Sequence, residues 1–252
     1  MVEGIEMVLI EKDKLFNMWN RIEKGGLLRV IPEEGNRERG SPMSDPLENW
    51  WLLRRLEENI QDFGPILTIL ELGVADGGGA KIWEQVLLSQ IKHKNNPKEL
   101  LYIGVDHGPN ILWDYKNSPI DMRIIADDTH KEETRNKVKY ILIEKGNEKE
   151  IRKVDFLWID AQHWSEDVKR DFEDYGSFVK DNGIIGFHDT RLMRSFWDNF
   201  TGGGVDATDD PKNDIGFKNE KAVFHKEEIK YSLGTGIFWK TSDQTIVKFR
   251  DI

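Results

Sequence analysis

The chain has 252 residues, a formal net charge of -10 and no cysteine. Its length and an apolar fraction of 38% support one large packed α/β domain, while the acid excess leaves no basic face for a nucleic-acid backbone. Without cysteine there are no disulfides, thiolate nucleophiles or cysteine-bound zinc sites, and the acidic start Met1-Val2-Glu3-Gly4-Ile5-Glu6 is unlike a secretion signal.

No apolar run approaches the roughly 20 residues of a membrane span, so a cytoplasmic protein without membrane contact is expected. Leu15, Trp19 and Ile22 recur at helical spacing over residues 11–24 until Gly25-Gly26 stops them. A loop rich in charge, glycine and proline follows from Pro32 to Pro46. Asp45 can cap a helix beginning at Pro46, with Leu47, Trp50, Trp51, Leu53, Leu56 and Ile60 on one apolar face. That face suits core packing, or a subunit contact in a homo-oligomer. Residues 1–60 read as a helical extension, and residues 61–252 as the main domain.

From residue 66 the chain alternates short apolar runs with amphipathic segments, the pattern of a parallel sheet covered by helices on both faces. Strands are expected at 66–72, 101–106, 122–126, 155–160 and 183–188. Helices are expected at 80–92, about 130–145, 165–180 and 191–200. Residues 201–220 are rich in Gly and Asp and read as a long loop. Beyond them, residues 230–233 and 236–239 predict a closing antiparallel pair around Gly234, and 245–249 a further edge strand.

The turn after the first strand reads ELGVADGGGAK, residues 71–81. A dinucleotide fingerprint starting at Gly73 needs glycine at position 75, where this chain has Ala75. A nucleoside-triphosphate loop needs Gly-Lys-Ser or Gly-Lys-Thr, and Gly79 is followed by Ala80-Lys81-Ile82. An acid at Glu71 repels phosphate and suits a ligand with positive charge.

Acids close each expected strand: Glu71, Asp106, Asp127 with Asp128, Asp160 and Asp189. Ligands of open α/β sheets bind at those carboxyl ends. Asp106 in YIGVDHG is suited to both hydroxyls of a ribose, because a carboxylate takes two donors at once. Asp127 and Asp128 could accept from an exocyclic amine such as adenine N6, or could cap the helix that DDTHKEE begins. Asp160 and Asp189, on neighbouring strands, could hold Mg²⁺ or a similar ion, or Asp160 could cap its helix. His188 is either a third ligand to a softer ion or serves another purpose; His163 is either functional or a surface turn histidine.

Over residues 45–240 the segments ELGVADGGG, GVDHG, ADD, IDAQH and GFHDT, in that order, resemble class I S-adenosylmethionine-dependent methyltransferases. The similar branch holds cephalosporin hydroxylase-like and macrocin O-methyltransferase-like proteins. The resemblance implies a doubly wound, Rossmann-like, mostly parallel sheet with a C-terminal antiparallel pair. It implies that Glu71, Gly73, Gly77 and Gly78 shape the pocket for the methionine part of the cofactor, with Asp106 at the ribose and Asp127 and Asp128 on the adenine side. His163 would take a proton from the hydroxyl of a small-molecule acceptor, and Asp160, Asp189 and His188 would form a metal site. The family's Asp-Gly-x-His stands here as Asp160-Ala161-Gln162-His163, and Ser165 occupies a position that is often aromatic. Two other readings keep the same sheet. One is an NAD-dependent oxidoreductase, against which Ala75 and Glu71 count; the other is a nucleoside-binding module without catalysis, which Ala161 and His188 keep open.

Overall fold

A computed structural model of the chain describes residues 66–91, 99–109, 111, 114–146, 151–199, 204–207, 224–229 and 235–240, with Leu52 and Leu56. The expected helices at 11–24 and 46–60 lie outside these residues except for Leu52 and Leu56, both helical and buried. The expected strands 230–233 and 245–249 also lie outside them.

Eight strands form one sheet in the order β3-β2-β1-β4-β5-β8-β7-β6. They are β1 (Ile66–Leu72), β2 (Glu99–Asp106), β3 (Asp121–Ala126), β4 (Val154–Ile159), β5 (Val179–His188), β6 (Gly204–Ala207), β7 (Phe224–Ile229) and β8 (Thr235–Lys240). The first five are mutually parallel, β8 runs antiparallel to both β5 and β7, and β6 is parallel to β7. Among the described residues, the helices that accompany them are α1 (Gly78–Ile91), α2 (Glu132–Glu144), α3 (Ser165–Tyr175) and α4 (Arg194–Asn199). Among the described residues no helix is long and apolar enough to cross a membrane.

Strand order reverses between β1 and β4, and right-handed crossovers therefore send α1 to one face and α2 and α3 to the other. Side chains follow this alternation. Val138, Leu142, Val168, Phe172, Tyr175, Phe196 and Trp197 pack with Leu70, Leu72, Ile103, Val105, Leu157, Ile159 and Phe187 in one core. On the α1 face, Trp83 meets Phe156 edge to face at 5.4 Å between ring centres. Full burial of side chains this size contributes about 1.5–3 kcal/mol each.

Three expectations need correction. The 201–220 stretch is not loop throughout, because Gly204–Ala207 form β6 at the sheet edge. The partner of β8 is Phe224–Ile229, ahead of the expected 230–233; its HKEEI run carries too much charge to announce a strand. Helix α3 ends at Tyr175, and β5 begins at Val179 rather than 183. The extra residues pass through a register shift against β4, with Asn182 at φ 60° before Gly183.

Candidate functional site

The reversal point of an open parallel sheet leaves a crevice beyond the strand ends, and the acids of this chain meet there. Period two aligns them: Ile69 and Glu71 on β1, Tyr102, Gly104 and Asp106 on β2, Trp158 and then Asp160 on β4, and Gly186 and His188 on β5 share the α1 face. Gly104 and Gly186 make room on it. A Cβ at Gly104 would come within 2.7 Å of Val74, and one at Gly186 within 2.5 Å of the Trp158 ring.

The turn between β1 and α1 is held from below and from the side. Gly73 has φ 93° and packs so tightly that a Cβ would lie 2.2 Å from the Asp160 carbonyl oxygen. Only glycine suits both conditions. Gly77 has φ 81°, and Gly78 opens α1. The non-glycine Ala75 adopts φ 47°, a left-handed conformation of the kind found at functional turns.

Asp106 organises this turn. Its Oδ2 accepts the backbone N–H of Val74 at 2.9 Å and of Ala75 at 2.8 Å, while Oδ1 accepts that of Gly108 at 2.8 Å. The donors with which a glycine-rich loop would grip a phosphate are thus already bonded to a carboxylate. Glu71 lies underneath, 3% exposed, with the Tyr102 hydroxyl donating to it at 2.6 Å. Burial, reinforced by the charges of Asp160 and Asp106, pushes the Glu71 carboxyl up to about 8 against the hydrogen bonds from Tyr102 and Trp83. Instead of facing a ligand as an open anion, Glu71 sits below the turn; a Cβ at Gly79 would lie 3.0 Å from its Oε1.

The Asp127 carboxylate is engaged by Lys131 at 2.8 Å and Lys137 at 2.7 Å and by the backbone N–H of Asp128 at 3.0 Å. Hydrogen bonds from Lys131 and then Lys137 hold its pKa well below the usual carboxylate range. Asp128 Oδ1 accepts the backbone N–H of His130 at 2.9 Å, a turn contact ahead of α2. This turn stays joined to β2 through the Asp127 N–H, which donates to the Asp106 carbonyl at 2.8 Å.

At the ends of β4 and β5, two aspartates and two histidines converge. His163 Nδ1 lies 3.0 Å from Asp189 Oδ2, and His188 Nδ1 lies 3.0 Å from Asp160 Oδ1 and 3.2 Å from Asp189 Oδ1. Asp189 adopts φ 55° and is 4% exposed. His188 is buried with its ring against Trp158, 5.9 Å between centres. The His163 side chain is 46% exposed, so a carboxylate orients one ring nitrogen while the ring reaches solvent. With the proton on Nδ1, this is the arrangement of a general base.

The same atoms also fit a divalent cation. Asp160, His163 and Asp189 each offer one ligand atom, and these lie within 4.8 Å of one another. Two carboxylates and an imidazole make a mixed hard and intermediate donor set. His163 completes this set, while His188, the third ligand expected from the sequence, turns its Nδ1 toward both carboxylates at 3.0 and 3.2 Å.

Sequence reasoning missed Tyr102, Trp83 and Trp158, the aromatic bed beneath the acids. Alternation carries a signal for the first: Tyr102 stands two residues before a glycine and four before Asp106 in one strand.

Residues 70–190 match a family described as a methyltransferase domain. No curated protein sequence matches the chain. Among solved structures it is similar to MycE methyltransferase from the mycinamycin biosynthetic pathway in complex with Mg, SAH and mycinamycin VI. Identity there is 13% and the TM-score 0.48, over 94% of this chain and 56% of that one. It is also similar to the O-methyltransferase TomG of Streptomyces achromogenes, involved in tomaymycin synthesis and bound to SAM, at 10% identity and TM-score 0.46 over 93% of each chain. SAH-bound methyltransferase PaMTH1 of Podospora anserina gives 10% identity and TM-score 0.49, over 92% of this chain and 97% of that one. The chain spans just over half the length of MycE.

Proposed function

We propose that the chain, whose residues 70–190 match a family described as a methyltransferase domain, is an S-adenosylmethionine-dependent methyltransferase. Its acceptor is a hydroxyl oxygen of a small molecule of the sugar or natural-product type. The observation that carries this reading is Asp106 holding the N–H groups of Val74 and Ala75. A turn so occupied, flanked by the carboxylates of Asp106 and Asp160, suits a sulfur cation joined to adenosine and disfavours a diphosphate. The oxidoreductase alternative needs the opposite electrostatics.

On this reading Gly73, Gly77 and Gly78 border the methionine part above Glu71. Asp106 retains acceptor capacity beyond its three backbone donors and takes a ribose hydroxyl. The turn of Asp127 and Asp128 borders the adenine. When bound, S-adenosylmethionine supplies a methyl carbon activated by its sulfonium. His163, oriented by Asp189, takes the hydroxyl proton as oxygen bonds to that carbon and the electrons of the carbon–sulfur bond return to sulfur. In-line alignment of acceptor and methyl provides much of the acceleration.

A divalent ion such as Mg²⁺ would be held by Asp160 and Asp189, with His163 as third ligand, and would lower the pKa of a bound hydroxyl. Activity that survives exhaustive chelation assigns His163 to proton transfer alone.

Thermal unfolding with S-adenosylhomocysteine and with NADH tests the reading. At a hundredfold excess over Kd, a bound nucleoside contributes about 2.7 kcal/mol, a rise of several degrees for a chain of this size. The rise is expected with S-adenosylhomocysteine and not with NADH; the reverse result rejects the methyltransferase reading.

A further inference from the structure

Resting on the methyl-transfer reading, we propose that Trp164 and Leu192 form an apolar lip beside His163 that binds an aromatic or fused-ring face of the acceptor next to its reacting hydroxyl. The two residues belong to different turns, one after β4 and one after β5. Those turns are joined at both ends: His163 Nδ1 to Asp189 Oδ2 at 3.0 Å, and the Phe196 backbone N–H to Ser165 Oγ at 3.3 Å. Trp164 lies between His163 and Ser165 in the chain, and Leu192 lies between Asp189 and Phe196. Contacts on either side therefore align them along one seam at the open end of the sheet.

Both remain uncovered although the residues around them are not. Trp164 is 74% exposed and Leu192 55%, while Met193, Phe196 and Trp197, a few residues on, are buried. The Leu192 N–H, together with that of Met193, is bonded to the Asp189 carbonyl, at 2.8 and 3.2 Å, which fixes this turn to Asp189. The same turn that sets Asp189 against His163 thus presents an apolar side chain to solvent. Ser165 has a structural duty of its own in receiving the Phe196 N–H, which puts the bulky aromatic one residue earlier, immediately after His163. Large apolar groups left exposed at a reactive centre mark a surface that a ligand dehydrates.

The test uses the full chain labelled with 5-fluorotryptophan, in which Trp164→Phe identifies the Trp164 fluorine resonance. The probes are 2-naphthol, which joins a hydroxyl to a fused apolar ring, and methyl glucoside, which has hydroxyls without one. Naphthol is expected to shift the Trp164 resonance saturably, glucoside to leave it in place, and Leu192→Ala to weaken naphthol by about fivefold. The lip is rejected if naphthol leaves the resonance unmoved, if glucoside moves it equally, or if protein dilution alone moves it, which assigns the surface to a second copy of the chain. Each titration is run with and without S-adenosylhomocysteine. Failure of that nucleoside to bind overturns the methyl-transfer reading while the naphthol result still decides the lip.

Discussion

Two ends of one sheet treat buried acids in opposite ways. At the N-terminal edge, Asp155 is 1% exposed and surrounded by compensation: the Thr68 backbone N–H donates to Oδ2 at 2.7 Å, Lys180 lies at 2.7 Å and Arg152 at 3.4 Å. Arg152 also donates to Thr68 Oγ1 and to the Ile66 carbonyl, tying the start of β1 to β4. At the C-terminal edge, the buried Glu71 carboxyl accepts from the Tyr102 hydroxyl, and Asp160 and Asp189 each meet an imidazole. The first arrangement is closed and serves stability. The second holds negative charge that a cationic ligand can complete.

Substitutions at the two ends should therefore separate stability from activity. The largest effect is expected at His163→Ala, with turnover falling about 10²–10⁴-fold and S-adenosylhomocysteine affinity nearly unchanged. Calorimetry beside a methyl-transfer assay checks this, and equal loss of both would remove the base role. Asp155→Ala should give the largest loss of stability, about 3–5 kcal/mol in urea unfolding, because Arg152 and Lys180 are left without their buried partner. A loss under about 1 kcal/mol would erase the contrast between the two ends.

Glu71→Gln sharpens the comparison through pH. A carboxyl raised in the folded state from 4.5 to about 8 binds more protons folded than unfolded, so it lowers stability progressively as pH rises from 4.5 to 8. Removing the titration should flatten that slope and leave the variant more stable than the parent above pH 8, by an amount on the order of a few kcal/mol. Unfolding midpoints across pH 5–9 read it directly; parallel curves would reject the buried-acid account. Smallest is Ala75→Gly, which relieves the φ of 47° and should raise stability by up to about 1 kcal/mol, offset in part by the entropy of glycine in the unfolded chain.

The parallel half of the fold was legible because each of its strands is an apolar run ending in an acid, and each following helix repeats its apolar residues at helical spacing. The C-terminal edge was less so. The run His225-Lys226-Glu227-Glu228 within β7 is polar without alternation, and β6 lies in a Gly- and Asp-rich stretch whose pairing is a tertiary effect. In the site, the sequence placed the acids at one edge without their hydrogen bonds. That Lys137 reaches Asp127 from ten positions away, or that Asp106 spends three bonds on backbone, follows from how turns stack on neighbouring strands. A one-dimensional pattern does not carry such information.

On the proposed reading, the backbone N–H groups of Val74, Ala75 and Gly108 that Asp106 accepts bear on how a nucleoside would arrive. A cradle stitched together in advance spends no ordering entropy at the moment of encounter, so recognition resembles docking into a mould rather than wrapping around a guest. The same stitching makes this carboxylate a keystone shared by two loops, so that exchanging it for an amide would loosen both rims of the crevice at once.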